Sequence, residues 1–513
     1  MSTNAQMQIG LGVYMVVIVA MGLWYSSRHK NNSAEEYFLA KRKFGPWLTA
    51  LSAQASDMSG WLLMGLPGVA YFYGIGEAFW TVLGLFIGTW VNWVLVARRL
   101  RAYSEIADNA ITLQEFFSKR FHDNKRVLLA IAAVISLLFF SIYVGAQFIV
   151  VGKLFQSLFG FNMAIMVIIG AAVVLTYTLI GGFLAIGVTD LVQGMLMVAA
   201  LTLVMIFGLY NAGGISGIYE NLRNFPHFLD FFGVAQPTGM VDGVPQFSAV
   251  GTSYGFITII SIMAWGLGYF GMPQVLVRFM AVNKLSSIRP SIIIAMVWVF
   301  IAQVAAVAIG LIGRAIFPGA FETAGASESV FILLSQNFFP PLLAGVVISG
   351  ILAASMSSSD SYMLIVSSSL ANDIYKGIIN KNAGEKTVML LARITMLVVT
   401  VFGIVVAMSG DSIFRVVSYA WAGLGASFGP LILFSLFWKR TTLPAAIAGM
   451  ATGGGMVLIW KNAIAKIGGV FSVYELLPAF IISCLVIYFV SLSTKKPSAT
   501  IEKEFEAAKT ANF

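Results

Sequence analysis

Three aspartates lie inside segments that are otherwise strongly apolar. They are Asp57, Asp190 and Asp360. A carboxylate at the centre of a membrane-spanning helix costs about 2.5–3.5 kcal/mol on insertion scales, so such residues are rare and usually functional. A single one can also be structural, held by backbone groups or hydroxyls inside a helix bundle. That alternative is much weaker for three together, and the set suggests that a cation binds or passes here.

Small and hydroxyl-bearing residues form one face of the segment that carries Asp360. The face is spaced i, i+3, i+4 and i+7 and consists of Ala354, Ser357, Ser358 and Ser361. A hard cation prefers oxygen ligands such as hydroxyls and backbone carbonyls. The alternative is that these hydroxyls only bond to carbonyls one turn back in their own helix.

Two apolar segments contain helix-breaking residues near their middle. One carries Asp-Met-Ser-Gly at 57–60 followed by Gly65, Pro67 and Gly68, and the other reads SIMAWGLGYFGMPQ at 261–274. In a membrane, broken backbone persists only where it faces protein or a watery cavity, and it frees carbonyl oxygens. Paired interruptions in corresponding halves predict an inverted-repeat transporter with its site at mid-membrane depth. Close packing of helices at the glycines is the alternative, but it does not explain Asp57.

Aromatic residues near the second break are candidates for the wall of a small-solute pocket. Trp265 and Tyr269 lie within the break, one helical turn apart, and Tyr143 and Trp421 are weaker candidates. Most aromatic residues of membrane proteins pack in the bundle or anchor it at the interface. Position within the break is therefore what favours Trp265 and Tyr269.

Composition shows which elements must position these residues. The chain of 513 residues is 59% hydrophobic and only 10% charged, with a mean hydropathy of +0.88, whereas soluble chains carry about 25% charge. Apolar runs near 20 residues predict a helical membrane bundle rather than a β-barrel. The thirteen predicted helices are 8–26, 46–73, 77–97, 127–156, 162–181, 185–211, 251–274, 288–316, 338–372, 387–408, 412–437, 441–460 and 471–493.

The distribution of basic residues predicts the orientation of the bundle. Of the 31 lysines and arginines, 25 fall in one set of alternate connections. Because positive charge favours the cytoplasmic side, the N-terminus is predicted to lie outside and the C-terminus inside. The Gly-rich and Pro-rich stretch 212–250 is then an external loop, and the tail from about 494 is a solvated cytoplasmic end.

Several function classes are disfavoured by the residues present. A single cysteine, Cys484, excludes an internal disulfide or a thiol metal cluster. The three histidines fall in polar connections, which excludes a haem held by membrane-embedded histidines. The sequence offers no Ser/His/Asp, His-rich or Cys-rich catalytic cluster, so the chain is not expected to be an enzyme. A cation channel is the remaining rival, although channels are usually symmetric oligomers with few spans per chain.

Five motifs resemble the sodium/solute symporter family, most closely its sodium/proline symporter branch. They are DMSGWLLMGLPG (57–68), TLIGGFLAIGVTD (178–190), WGLGYFGMPQVLVRFM (265–280), AASMSSSDS (353–361) and WAGLGASFGP (421–430). The resemblance implies an all-α membrane protein with a LeuT-type core of two inverted five-helix repeats. It implies 1–44 as the first helix and a cytoplasmic loop, 45–211 and 251–438 as the repeats, 212–250 as an external loop, 439–493 as two peripheral helices and 494–513 as the cytoplasmic tail.

The resemblance also implies a site for each ligand. Sodium is expected between the second and ninth spans, on the carbonyls of Ala55, Met58 and Ala354 and the hydroxyls of Ser357 and Ser358. Asp57 matches a carboxylate that supports sodium binding, and Asp190 one that helps sodium leave towards the cytoplasm. Proline contacts are expected at Ser59, Gly60, Trp265, Tyr269 and Pro273, and at Tyr143.

The expected function is sodium-coupled uptake of L-proline across the plasma (inner) membrane by alternating access. Na+, proline and the lipid bilayer are the expected partners, without nucleic acid or an obligate protein partner. Asp360 departs from the family pattern, since some relatives carry a neutral polar residue there. It could face Asp190, and two close carboxylates favour a second cation or a shared proton. Coupling to protons, or another small solute of the same family, is therefore the alternative.

Overall fold

The chain forms a bundle of long helices. The computed structural model describes residues 2–28, 34–180, 182–241, 244–250 and 252–511. Residues 1, 29–33, 181, 242–243, 251 and 512–513, which fall within segments predicted above, lie outside these ranges. The first six helices are α1 (Thr3–Arg28), α2 (Ala34–Leu39), α3 (Pro46–Asp57), α4 (Leu66–Tyr73), α5 (Ile75–Val91) and α6 (Ala97–Ile106). Then come α7 (Leu113–Arg120), α8 (Val127–Phe159), α9 (Met163–Ile180), α10 (Phe183–Asn211) and α11 (Gly214–Leu222).

The second half of the chain repeats this pattern of long helices. It contains α12 (Phe256–Met263), α13 (Pro273–Met280), α14 (Ile288–Ile316), α15 (Ala324–Ser327), α16 (Val330–Phe338) and α17 (Pro341–Ser368). It continues with α18 (Glu385–Ala407), α19 (Ile413–Phe437), α20 (Leu443–Ile459), α21 (Leu476–Ser493) and α22 (Ala499–Thr510). Several long helices contain wider π turns, at Trp61–Gly65, Asn92–Val96, Ser369–Ile379 and Trp460–Ile464.

Each of the thirteen predicted segments overlaps helix in the structure. Among the residues described, ten helices are long and apolar enough to cross a membrane, and an eleventh crossing results if Phe256–Gly271 and Pro273–Met280 form one bent span. Trp61–Tyr73 and Met163–Leu179 are shorter apolar helices within the second and fifth predicted segments. The chain is thus a multi-pass membrane protein, and the count of thirteen spans stays a prediction.

Helix α17 is the centre of the bundle. Every residue from 347 to 369 is buried, and the helix packs against α1, α3, α8 and α10. A helix that is buried all round must satisfy its polar groups within the protein. The serines of α17 therefore have to bond to neighbouring helices or to their own backbone.

The predicted external loop is more ordered than its composition indicated. Besides α11 it contains β1 (Gly233–Val234), β2 (Pro237–Val241) and β3 (Val244–Phe247), and β4 (Thr252–Ser253) follows directly. β1 pairs with β4 and β2 pairs with β3, both antiparallel. The loop covers the start of α5, where the amide of Ile75 donates to the carbonyl of Phe228.

The tail was predicted to be solvated, but part of it is a helix packed on the rest of the molecule. Ile501, Phe505 and Ala508 of α22 are buried. Phe505 lies over the guanidinium of Arg120, 5.6 Å from the ring centroid, and the Tyr103 ring lies 5.1 Å from the same group. The His122 ring also contacts Glu504 at 3.1 Å. Apolar residues one turn apart explain why this segment docks instead of remaining in water.

Candidate functional site

The second span is broken after Asp57, as the sequence predicted. Met58 has non-helical backbone angles (φ −79°, ψ 73°). In a continuous helix the amide of Ser59 would donate to the carbonyl of Ala55. Here that amide donates to the carbonyl of Asp57 at 2.9 Å. The break therefore releases the Ala55 carbonyl from its helical partner.

The released carbonyl faces the serines of α17. The hydroxyl of Ser357 lies 2.8 Å from the Ala55 oxygen and 3.3 Å from the Ala354 oxygen, and the hydroxyl of Ser358 lies 3.5 Å from the Ala55 oxygen. These are four of the five oxygen ligands that were predicted for sodium. Met58, the fifth, is fully buried at the break itself. Such a set of neutral oxygens suits a hard monovalent cation.

Other serines of the same helix bond only to backbone carbonyls one turn back in that helix. Ser349 and Ser359 donate to the carbonyl four residues earlier, at 2.8 and 2.7 Å, and Ser367 donates to the carbonyl three residues earlier. Such bonds are the usual way to satisfy a buried hydroxyl in a helix. Ser357 differs because its shortest bond reaches another helix. The serines of α17 thus form two groups: some bond to carbonyls of their own helix, and others bond to the carbonyl released by the break.

Asp57 lies at the end of α3 and contacts the second broken segment. One carboxylate oxygen accepts a hydrogen bond from the Gln274 side chain at 3.3 Å, and Tyr269 lies close to the same carboxylate. Gln274 follows Pro273, which begins α13 after a bend of 41°. The two breaks are therefore joined through Asp57.

Asp190 lies in a buried polar network with an arginine. Its carboxylate accepts hydrogen bonds from Ser52 at 2.7 Å and Ser56 at 3.1 Å, and it forms an ion pair with Arg278 at 3.1 Å. Arg278 also donates to Ser361 at 2.6 Å. Arg278 was counted among the cytoplasmic basic residues, but its side chain is only 1% exposed. The ion pair compensates both buried charges, and removing one partner would leave the other uncompensated.

Asp360 lies beside this network. One carboxylate oxygen is 3.4 Å from the Ser361 hydroxyl, and the side chain interacts electrostatically with both Asp190 and Arg278. The other oxygen has no hydrogen-bond partner within the described part of the chain. Two carboxylates thus share one guanidinium. The cluster would have a surplus negative charge if both were ionised.

The aromatic residues of the second break pack with aromatic residues of neighbouring helices. The Trp265 ring lies 6.2 Å from Trp61, 5.0 Å from Phe414 and 6.1 Å from Trp421, measured between centroids. The indole NH of Trp421 donates to the Trp265 carbonyl at 2.9 Å, and Tyr269 packs edge-on against Trp421 at 5.0 Å. This group closes one side of the broken region.

Several buried polar atoms between the break and the aromatic group lack partners among the residues described. They are the hydroxyls of Ser59, Tyr143 and Tyr269, the indole NH of Trp61 and the amide nitrogen of Gln147. An unsatisfied buried polar atom costs about 1–3 kcal/mol, so a cluster of five needs an explanation. The indole and amide nitrogens can only donate a hydrogen bond, and the three hydroxyls can donate or accept, so the group can bond to a ligand that carries acceptor oxygens.

The remaining predicted solute residues are placed differently. The amide of Gly60 donates to the Gln147 side-chain oxygen at 3.1 Å, and a Cβ at Gly60 would lie 2.3 Å from a methyl of Val150. Gly60 is thus a point of close helix contact. Pro273 lines a crevice together with Phe183, Val277 and other residues.

Three residues of the site were missed by the sequence analysis. Gln147 was a detectable signal, since it is a polar residue inside a long apolar segment. Arg278 was hidden by its position in a connection rich in basic residues. Trp61 was not singled out because tryptophans are common in membrane helices.

Comparisons with known proteins agree with this geometry. The family model described as "Sodium:solute symporter family" matches residues 37–453. The osmoregulated proline transporter OpuE of Bacillus subtilis (strain 168) is 40% identical over 493 residues, which cover 96% of this chain and 95% of the relative. The sodium/proline symporter of Escherichia coli (strain K12) is 39% identical over 515 residues, with 99% and 97% covered.

Solved structures share the fold at low sequence identity. A Na+-coupled sialic acid symporter in a substrate-bound, outward-open state has a TM-score of 0.77 and 17% identity, with 97% of this chain and 99% of that chain covered. MhsT in complex with L-phenylalanine has a TM-score of 0.53 and 15% identity, with 87% and 98% covered. These likenesses establish a LeuT-type transporter fold.

Proposed function

Because the chain belongs to the sodium:solute symporter family, we propose that it carries L-proline into the cell together with sodium by alternating access. Family membership makes sodium the expected coupling ion. The curated relatives at about 40% identity over nearly the whole chain are proline transporters by name. The observation that carries the proposal is the contact of Ser357 with the released Ala55 carbonyl.

Sodium binds between the break in the second span and α17. Ala55, Ala354, Ser357 and Ser358 supply oxygens that already lie within 3.5 Å of one another in the pairs described above, and Met58 supplies a further carbonyl. Rotation of the two hydroxyls turns their lone pairs towards a cation. Sodium binding fixes the broken segment against α17. Asp57 adds negative charge close to the break, where it favours a cation.

Proline binds on the other side of the break, next to the aromatic group. The unpartnered donors of Trp61, Tyr143 and Gln147 are suited to its carboxylate, and the Ser59 hydroxyl can bond to either end of the zwitterion. The pyrrolidine ring packs on Trp265 and Tyr269. Both residues are at most 5% exposed, so this arrangement corresponds to a site closed from bulk solvent.

Sodium leaves towards the cytoplasm past Asp190. Arg278 holds this carboxylate in the structure, so a departing cation has to compete with the guanidinium. Proline carries no net charge, and each sodium therefore moves one positive charge inward. A membrane potential of about 100 mV supplies roughly 2.3 kcal/mol per charge, which corresponds to about forty-fold accumulation.

The proposed orientation of the protein in the membrane follows from the distribution of its basic residues. The N-terminus lies outside, the C-terminus lies in the cytoplasm, and the protein resides in the plasma membrane. Residues 45–211 and 251–438 are the two inverted repeats, and residues 439–493 are peripheral. The broken helices α3–α4 and α12–α13 open the two repeats, which supports this division.

The test is uptake of radiolabelled proline into vesicles that contain the purified protein. An inward sodium gradient should drive accumulation above equilibrium, and a negative interior should raise it further. Vesicles with equal sodium on both sides, and vesicles without protein, are the controls. Equal uptake with and without the sodium gradient would overturn the proposal.

A second candidate is coupling to protons, or to an additional cation, with the same or another small solute. Asp360 favours it, because this carboxylate has an unpartnered oxygen next to Asp190. Uptake driven by a pH gradient in sodium-free buffer would establish proton coupling. Competition by unlabelled amino acids, sugars and vitamins would identify a different solute.

A further inference from the structure

Tyr474 lies outside both predicted repeats, yet it contacts the aromatic group of the site. It belongs to the segment between α20 and α21, which contains two consecutive glycines with left-handed backbone angles, Gly468 (φ 83°) and Gly469 (φ 63°). Glycine tolerates such angles, so the chain can turn sharply here. The turn brings the following residues back over the bundle.

The ring of Tyr474 stacks on the ring of Trp265. The centroids are 5.5 Å apart and the planes are inclined by 24°. Trp265 is 5% exposed, whereas Tyr474 is half-buried and Val470 and Phe471 in the same segment are exposed. Tyr474 is therefore the outer layer, Trp265 lies beneath it, and Trp61 with its unpartnered NH lies deeper.

Two hydrogen bonds hold Tyr474 in this position. Its backbone amide donates to the Ser261 hydroxyl at 2.7 Å, and its own hydroxyl donates to the Ser418 carbonyl at 2.6 Å. Ser261 lies in α12, directly before the second break, and Ser418 lies in α19. The segment thus bridges α19, which carries Trp421, and the helix that directly precedes the segment with Trp265.

We infer that Tyr474 is a positioning residue for the solute, and that the segment 465–475 forms an outer lid over the pocket. The inference rests on the proposed function for the identity of the solute, but not for the existence of the lid. Tyr474 acts by fixing the indole of Trp265 against the solute ring and by separating that indole from the outer solution. The peripheral helices α20 and α21 consequently take part in solute recognition.

The first test is the kinetics of proline uptake by Tyr474→Ala. Loss of an aromatic pair should raise KM about three- to tenfold with a smaller effect on kcat. Tyr474→Phe keeps the ring and should restore a KM close to that of the unchanged protein, whereas a role of the hydroxyl alone would make Phe as poor as Ala. Tyr474→Leu, which retains bulk, replaces the alanine variant if that variant does not fold.

The matched control is Tyr488→Ala. Tyr488 lies in α21 and stacks on Trp438 at 5.3 Å and 18°, which is nearly the same geometry at a position 43% exposed and separate from the pocket. Its removal should leave the KM for proline unchanged. Equal KM values for Tyr474→Ala and the unchanged protein would overturn the inference.

A second measurement does not depend on the solute. A cysteine is introduced by Ser59→Cys in a chain that also carries Cys484→Ala. The rate at which a membrane-impermeant maleimide, added from outside, labels this cysteine is then measured. Tyr474→Ala should increase the labelling rate several-fold, and Tyr488→Ala should not. If the unchanged protein, with Ser59 and Cys484 intact, does not take up proline but Tyr474→Ala still speeds labelling of the Ser59→Cys chain, the proposed solute is wrong and the lid stands. Unchanged labelling would show that the segment does not close the pocket.

Discussion

At the scale of single residues, the distances to the Ala55 carbonyl indicate that Ser357 contributes more to sodium binding than Ser358. Ser357 lies 2.8 Å from the Ala55 carbonyl and Ser358 lies 3.5 Å from it. We expect Ser357→Ala to raise the sodium concentration for half-maximal uptake about tenfold, which corresponds to roughly 1.4 kcal/mol. Ser358→Ala should raise it too, but by less. Both values come from uptake measured over a series of sodium concentrations.

Ser359→Ala is the control for this series. Its hydroxyl bonds to the Ser355 carbonyl in the same helix at 2.7 Å, so its removal should leave the sodium dependence unchanged. Intact transport with unaltered sodium dependence in both Ser357→Ala and Ser358→Ala would refute the placement of the ion.

The buried pair of Arg278 and Asp190 leads to a prediction about stability. Arg278→Met leaves the Asp190 carboxylate buried without its cation, which typically costs about 3–5 kcal/mol. We expect a clearly lower melting temperature for the purified protein in detergent. The double variant Arg278→Met/Asp190→Asn removes both charges and should recover much of the loss. Additive losses in this double-mutant cycle would mean that the two residues do not interact.

The residues of the candidate site differ in how far the sequence could reveal them. Asp57 and Ser357 stand out because a charge or a regular hydroxyl spacing is unusual in an apolar segment. Arg278 could not be placed, since a basic residue at the end of a span is usually a signal of orientation and its partner is 88 residues away in the chain. Tyr474 could not be predicted for a similar reason, because its proposed role depends on its contact with Trp265, which forms only in the folded chain.

At the scale of elements, the second break depends on a very close approach between α5 and the segment Ala264–Gly271. A Cβ at Gly88 would lie 2.3 Å from the Gly266 carbonyl oxygen, which is backbone and cannot rotate away. We expect Gly88→Ala to lower stability by about 1–3 kcal/mol, seen as a lower melting temperature. It should also impair uptake, because the helix that carries Trp265 has to shift.

Gly455→Ala provides the comparison for Gly88→Ala. A Cβ at Gly455 would have no neighbouring atom within 4 Å, and alanine has a higher helix propensity than glycine. This variant should therefore be as stable as the unchanged protein or slightly more stable. Equal melting temperatures for the two variants would contradict the close approach.

The helices were largely predictable, while their local irregularities were not. Long apolar runs place most helix ends within a few residues, but the predicted helices 77–97 and 338–372 continue to Ile106 and Ile379. The Asp-Met-Ser-Gly sequence places the first break at 57–60. The second break takes the form of a 3-10 stretch, Ala264–Gly271, followed by a bend before Pro273. Its form depends on packing against α5 and α19. The spacing of Ile501, Phe505 and Ala508 is consistent with the docking of α22, but the many charged residues of the tail favour a solvated segment.

At the scale of the whole molecule, the asymmetry of basic residues predicts the orientation in the membrane. Four arginines within the described ranges are buried. Arg101, Arg120 and Arg278 belong to the set of 25 and Arg314 to the opposite set, so the asymmetry remains when all four are left out. We expect a protease site inserted before Ala5 to be cleaved in intact cells, and the same site after Lys496 to be cleaved only after the cells are opened. If instead only the site after Lys496 is cleaved in intact cells, the orientation is reversed, and the segment 465–475 faces the cytoplasm.

The docking of α22 on Arg120 has a consequence for synthesis of the protein. His122 and Glu504 are 382 residues apart in the chain, so the aromatic enclosure of Arg120 is completed only after translation has passed every membrane-crossing segment. Until α22 has been synthesised, Phe505 cannot pack on Arg120 and Glu504 cannot contact His122. We therefore expect a product that stops before Ala499 to be degraded faster than the full chain, because it lacks both contacts.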